Sequence, residues 1–121
     1  MTGSDFHDPD GCLKVSRVLA RVGDKWSVLI IMSLREGPRR FSELKRGIGG
    51  ISQRMLALTL RNLERDGLVD RSVTPSIPPR VDYELTALGR SLAVPVEALG
   101  RWAVAHLAQI DEAHERYDAQ P

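Results

Sequence analysis

Arg54, Leu58, Arg61 and Arg65 share one side of the stretch Ser52–Asp66, with Ser52 and Gln53 at its start, and Leu56, Leu60 and Leu63 share the other. At 100° per residue the three leucines fall within a ~60° arc, and the opposite arc carries Arg54, Leu58, Arg61 and Arg65. These outer residues have the chemistry to read a duplex. The Gln53 amide donates and accepts in one plane and matches adenine, the Arg54 guanidinium matches guanine, and Leu58 can pack on a thymine methyl. Ser52 and Gln53 stand at the helix start, where unpaired N–H groups favour a phosphate. Arg61 and Arg65 lie further along and suit phosphates. Taken alone, this is also what an ordinary solvated helix looks like, with arginines serving solubility.

A second group of cations surrounds the first. Arg39 and Arg40 precede a short helix, and Lys45 and Arg46 lie on it. Such positions meet a sugar-phosphate backbone and carry no sequence information. Arg80 stands beside Pro78 and Pro79, where it could enter a minor groove or touch a phosphate. An ion pair with Asp82 or Asp70 is the plainer use of Arg80.

The elements that must position these residues follow from periodicity and breakers. Residues 1–10 are polar and acidic and read as a loose arm, followed by a single domain over 11–121. Leu13, Val15, Val18, Leu19 and Val22 predict a helix over 12–22 that ends at Gly23. Asp24 caps a helix to Arg35, apolar on most sides and therefore central. Gly37-Pro38 stops it. Ser42 is expected to cap a brief helix, and Gly47, Gly49 and Gly50 form a turn. Ser52 caps the arginine-bearing helix, which stops at Gly67. Leu68–Thr74 and Arg80–Leu85 read as strands, with Pro75, Pro78 and Pro79 at the tip between them. Thr86 caps a last helical region to about Tyr117, which Pro95 should kink or break near Ala93. Two helices joined by a glycine turn and followed by a hairpin make a winged helix-turn-helix, a mainly α (α+β) class.

Composition agrees. The chain has 121 residues, 42% of them hydrophobic, enough for a core and too many for disorder. Its net charge of +1 hides an asymmetry. Residues 1–34 are neutral, residues 35–80 carry ten Lys/Arg against five Asp/Glu, and residues 81–121 carry three Arg against seven acids. A polyanion is drawn to the middle and repelled by the end. The longest apolar run, Val28–Met32, is far short of the ~20 residues that span a bilayer. The start has no secretory character, so a cytoplasmic location is expected. The single cysteine, Cys12, forms no internal disulfide, which suits a reducing compartment.

No phosphate loop, G-x-S-x-G or paired carboxylates are present, so no catalysis, cofactor or metal site is expected. His7, His106 and His114 make no ligand pattern with Cys12. His7 belongs to the arm, and His106 is expected to be partly buried or at an interface. A thiol at a helix N-terminus has a stabilised thiolate, to which Lys14 and Arg17 add. The alternative for Cys12 is a small buried residue.

At this point the chain resembles the HxlR-type transcriptional regulators, a MarR-like winged-helix family. The resemblance rests on Gly11-Cys12, Val22–Trp26, Gly37–Leu44, Gly50–Leu56, Leu60–Val69, Pro78–Thr86, Leu88–Leu92 and Trp102. It implies a bacterial homodimer that binds double-stranded DNA at an inverted repeat and usually represses. It also implies dimerisation through the first and last helices, here Leu13, Val18, Val96, Leu99, Trp102, Ala103 and Leu107. Two-fold symmetry would set two recognition helices about 34–36 Å apart. Cys12 matches a cysteine that some members use to sense oxidants or electrophiles. A signal at Cys12, or a small-molecule effector between the central and terminal helices, would then shift that spacing. Ala57 and Leu58 depart from the polar residues common in the family, so a relative's operator is a poor guide. Two other readings stay open. One is a winged helix used as a protein-interaction module with only non-specific DNA affinity, and the other is a small-molecule carrier or enzyme, for which no convergent polar groups are seen.

Overall fold

The computed structural model describes the backbone of residues 9–121 and side chains from Lys14 onward. Five helices and three short strands follow in order: α1 (Pro9–Gly23), α2 (Lys25–Leu34), β1 (Arg39–Arg40), α3 (Phe41–Gly47), α4 (Gln53–Arg65), β2 (Val69–Thr74), β3 (Arg80–Leu85) and α5 (Ala87–Asp118). The first helix thus takes in Pro9 and Asp10 from the stretch read as an arm.

Three helices begin where a side chain satisfies one of their free N–H groups. The Asp24 carboxylate accepts from the Trp26 N–H at 3.4 Å and from the Ser27 hydroxyl at 2.7 Å. The Ser52 hydroxyl accepts from the Met55 N–H at 3.0 Å. Thr86 caps α5 by accepting from the Gly89 N–H at 3.0 Å. Ser42, expected as the cap of the short helix, is instead its second residue. The helix starts at Phe41 because the Glu43 carboxylate accepts from the Arg40 N–H at 2.9 Å.

The core fills the space between α2, α3, α4 and the hairpin. Ile30, Ile31 and Leu34 of α2 meet Leu44, Leu56, Leu60 and Leu63, closed by Val69 and Leu85 at the base of the hairpin. The central helix is buried on one side only, since Val28 and Met32 are half-buried and Leu29 is exposed. The sheet has the order β1-β3-β2 and is antiparallel throughout. β2 and β3 pair from Val69↔Leu85 to Thr74↔Arg80, so the prolines do sit at the tip. The two residues of β1 pair with Tyr83 and Asp82.

Two expectations about element limits need correction. Leu68 is not in the strand, because its N–H bonds back to the Leu63 carbonyl at 3.0 Å. With the Gly67 N–H on the Glu64 carbonyl at 3.0 Å, this closes the helix in a Schellman motif that needs the left-handed φ of +76° at Gly67. Nor does Pro95 break the last helix, which is continuous from Ala87 to Asp118. Proline removes one N–H and crowds one carbonyl of the preceding turn, and packing of Ala93 and Val96 to either side holds the helix together.

Candidate nucleic-acid interface

The face that could meet a duplex is fixed from beneath. Leu56, Leu60 and Leu63 are at most 1% exposed, which sets the rotation of α4 about its axis. Thr59 is buried as well, and its hydroxyl donates to the Met55 carbonyl at 2.7 Å. Arg54, Leu58 and Arg61 are therefore directed outward and are exposed, as are Gln53 and the capping Ser52 at the helix start. Among the described residues, Arg54 and Arg61 form no ion pair, so both guanidinium groups are available to an anion.

The flanking cations divide into free and engaged. Arg40 is exposed at the entry to α3, and Lys45 and Arg46 are exposed on it. Arg39 is half-buried and lies 3.9 Å from the Glu36 carboxylate. Arg80 takes its plainer role, with its Nε donating to Asp82 at 3.0 Å. Arg71, in the facing strand, is exposed and makes no ion pair among the described residues. It is the better wing cation. The sequence reading missed it for want of a neighbouring breaker to mark it, although its strand was recognised.

Arg65 does not share the outer arc's surroundings. It borders a groove of about 880 Å³ between α1, the C-terminal end of α4 and the first half of α5. Arg21 of α1 pairs there with the Asp66 carboxylate, tying the first helix to the end of the recognition helix. This concavity is not the expected one between the central and terminal helices.

The residues proposed for self-association separate sharply. Val18, Leu99, Trp102 and Leu107 are each more than half exposed, and Ala103 is exposed. Val96 is 1% exposed and belongs to the core, because this part of α5 lies against α2. Glu97, one residue on, forms ion pairs with Arg35 at 3.1 Å and Arg101 at 3.0 Å. Beyond Arg101, every residue of α5 except His106 is exposed. His106 is half-buried by stacking on Trp102, with ring centroids 4.4 Å apart. The side chains of Cys12 and Leu13, and His7, lie outside the described residues. Among the described residues no group of three His, Cys, Asp or Glu could hold a metal ion, and no helix is long and apolar enough to cross a membrane.

Known proteins share this arrangement. The family model for HxlR-like helix-turn-helix proteins matches residues 21–111. The uncharacterised HTH-type transcriptional regulator YtfH of Escherichia coli is 46% identical over 93 residues, covering 77% of this chain and 74% of the relative. A solved structure of YtfH from Salmonella typhimurium is 42% identical with a TM-score of 0.78, covering 84% of this chain and 90% of that one. The redox regulator HypR in its reduced form is 36% identical with a TM-score of 0.77, covering 82% and 98%. The winged helix-turn-helix fold, the arginine-bearing second helix and these matches have one reading: the chain is a transcriptional regulator of the HxlR-like helix-turn-helix family.

Proposed function

We propose that the protein acts as a homodimer that binds an inverted-repeat operator and represses transcription. The observation that carries this is the outward presentation of Ser52, Gln53 and Arg54 at the N-terminus of α4, rotationally fixed by three buried leucines. Residues there meet base edges in the major groove, while Arg40, Lys45 and Arg61 hold phosphates. The half of α5 beyond Arg101 supports the dimer, because Trp102, Val104 and Leu107 expose apolar surface that a second copy would cover. Selection from random duplexes, followed by titration at two salt concentrations, tests the reading. An enriched palindrome with half-sites one turn apart is expected. Sequence-indifferent binding that vanishes at physiological salt would instead mark an interaction module.

Cys12 is proposed as a redox-responsive residue on the strength of the HypR similarity. With one cysteine per chain, oxidation leads to an inter-subunit or a mixed disulfide. Operator binding by the Cys12→Ser variant should no longer respond to diamide. An unchanged response would remove Cys12 from the mechanism.

A further inference from the structure

The outward side of α4 carries Leu58 among its cations, with Met55 at its edge. Leu58 is 42% exposed and Met55 38%. Residues three apart are neighbours on a helix surface, with Cβ atoms ~5–6 Å from one another. Leu58 falls in the same arc as Arg54 and Arg61, and Met55 lies about 60° further round, on the flank away from Arg61. The buried Leu56, Leu60 and Leu63 hold the pair outside the core. The Met55 N–H is taken by the Ser52 hydroxyl at 3.0 Å, and the Met55 carbonyl by the Thr59 hydroxyl at 2.7 Å. These two residues therefore meet an incoming molecule through carbon and sulfur, beside two guanidinium groups that form no ion pair among the described residues.

We propose that Met55 and Leu58 read the C5-methyl groups of pyrimidines in the operator half-site, and read nothing else of those bases. The inference deepens the regulator reading and rests on it. An occupant of this flank must bring anions to Arg54 and Arg61 and an apolar group beside them. A duplex does both, because phosphates line the major groove and the thymine methyl is the apolar group that its floor presents. Bases on one strand follow at ~3.4 Å, so the methyls of two successive pyrimidines lie within the span of the two side chains. A side chain without donor or acceptor does not distinguish the O4 of thymine from the N4 amine of cytosine. An amide or a guanidinium at either position would read that edge. The recognised group is thus the methyl and not the base, and 5-methylcytosine stands in for thymine at these positions. Methylation of cytosine there strengthens binding, so a covalent mark on the DNA is sensed directly by α4.

Fluorescence anisotropy with the full chain and the duplex enriched by selection tests this. Each thymine of a half-site is replaced in turn by deoxyuridine, which lacks only the methyl. At two adjacent positions the loss should weaken binding about 4-fold per methyl. With cytosine placed at the same positions, its 5-methylation should restore a factor of the same size, because the contact is the same. Leu58→Ala and Met55→Ala, both at exposed positions, should each abolish the methyl preference at one of the two positions. Affinity of each variant for the uracil duplex should stay within about 2-fold of the parent, with circular dichroism unchanged. A uracil duplex bound as tightly as the thymine duplex at every position, as when a protein partner or a second copy covers this flank, overturns the proposal. So does a methyl preference that survives both variants, or one shown by thymine and not by 5-methylcytosine. These three results overturn the inference alone. A selection that enriches no duplex overturns the regulator reading and this inference with it.

Discussion

The division of labour among single side chains is set by which of them are free. Gln53 and Arg54 have only solvent as a partner among the described residues, so their hydrogen-bonding capacity is unspent. Gln53→Ala or Arg54→Ala should lower discrimination between operator and altered operator by roughly 1–3 kcal/mol per lost base contact, measured by competition titration. Lys45→Ala should behave differently, weakening all duplexes alike and reducing the slope of log K against log salt by about 1. If Arg54→Ala left an operator footprint unchanged, the assignment of this helix face would be wrong. At this scale the sequence was a partial guide. Helical periodicity gave Arg54 and Arg61 their outward direction, because three leucines fix the opposite face. It could not show that Arg80 turns to Asp82 while Arg71 stays free, since both sit in strands with acids two residues or one residue away.

Elements are held in register by their ends and by one close approach. Three of the caps, at Asp24, Ser52 and Thr86, were legible because each precedes an apolar-periodic run. The short helix was misread by two residues because its closure depends on a carboxylate reaching back to Arg40, not on a hydroxyl at the start. Removing the Ser52 hydroxyl frees the Met55 N–H, so Ser52→Ala should destabilise the chain by about 1 kcal/mol, read by denaturant titration. A larger effect belongs to Gly89. It lies where α5 crosses the chain entering the hairpin, and a Cβ there would overlap the Leu68 carbonyl. The Thr86 hydroxyl donates to the neighbouring Gly67 carbonyl at 2.6 Å, so this junction has little room to shift. Gly89→Ala should therefore destabilise by about 3 kcal/mol. A loss below that of Ser52→Ala would mean that helix and hairpin separate easily.

At the scale of the whole molecule, one end of the chain is packed and the other is not. The core closes around α2 and α4, but α5 continues for more than four turns past Arg101 with almost every residue exposed. A helix of that length gains little from propensity alone and needs a packed face. The sequence pattern anticipated that face but could not sort it, because periodicity is the same whether an apolar stripe meets its own protomer or another. Val96 meets its own, and Leu99, Trp102 and Leu107 do not. The groove was illegible for a related reason, since Arg17, Arg65 and Leu92 are brought together only by the fold. If a second copy covers the free half of α5, charging that surface should separate the copies and leave the winged helix intact. Trp102→Glu combined with Leu107→Glu should give a monomer in sedimentation velocity, with the helical circular dichroism largely retained. Operator affinity should then fall to that of a single half-site, because one recognition helix cannot reach both of two half-sites one turn apart. A double variant that still sedimented as a dimer would place the contact elsewhere, for instance on α1, where Val18 and Leu19 are exposed.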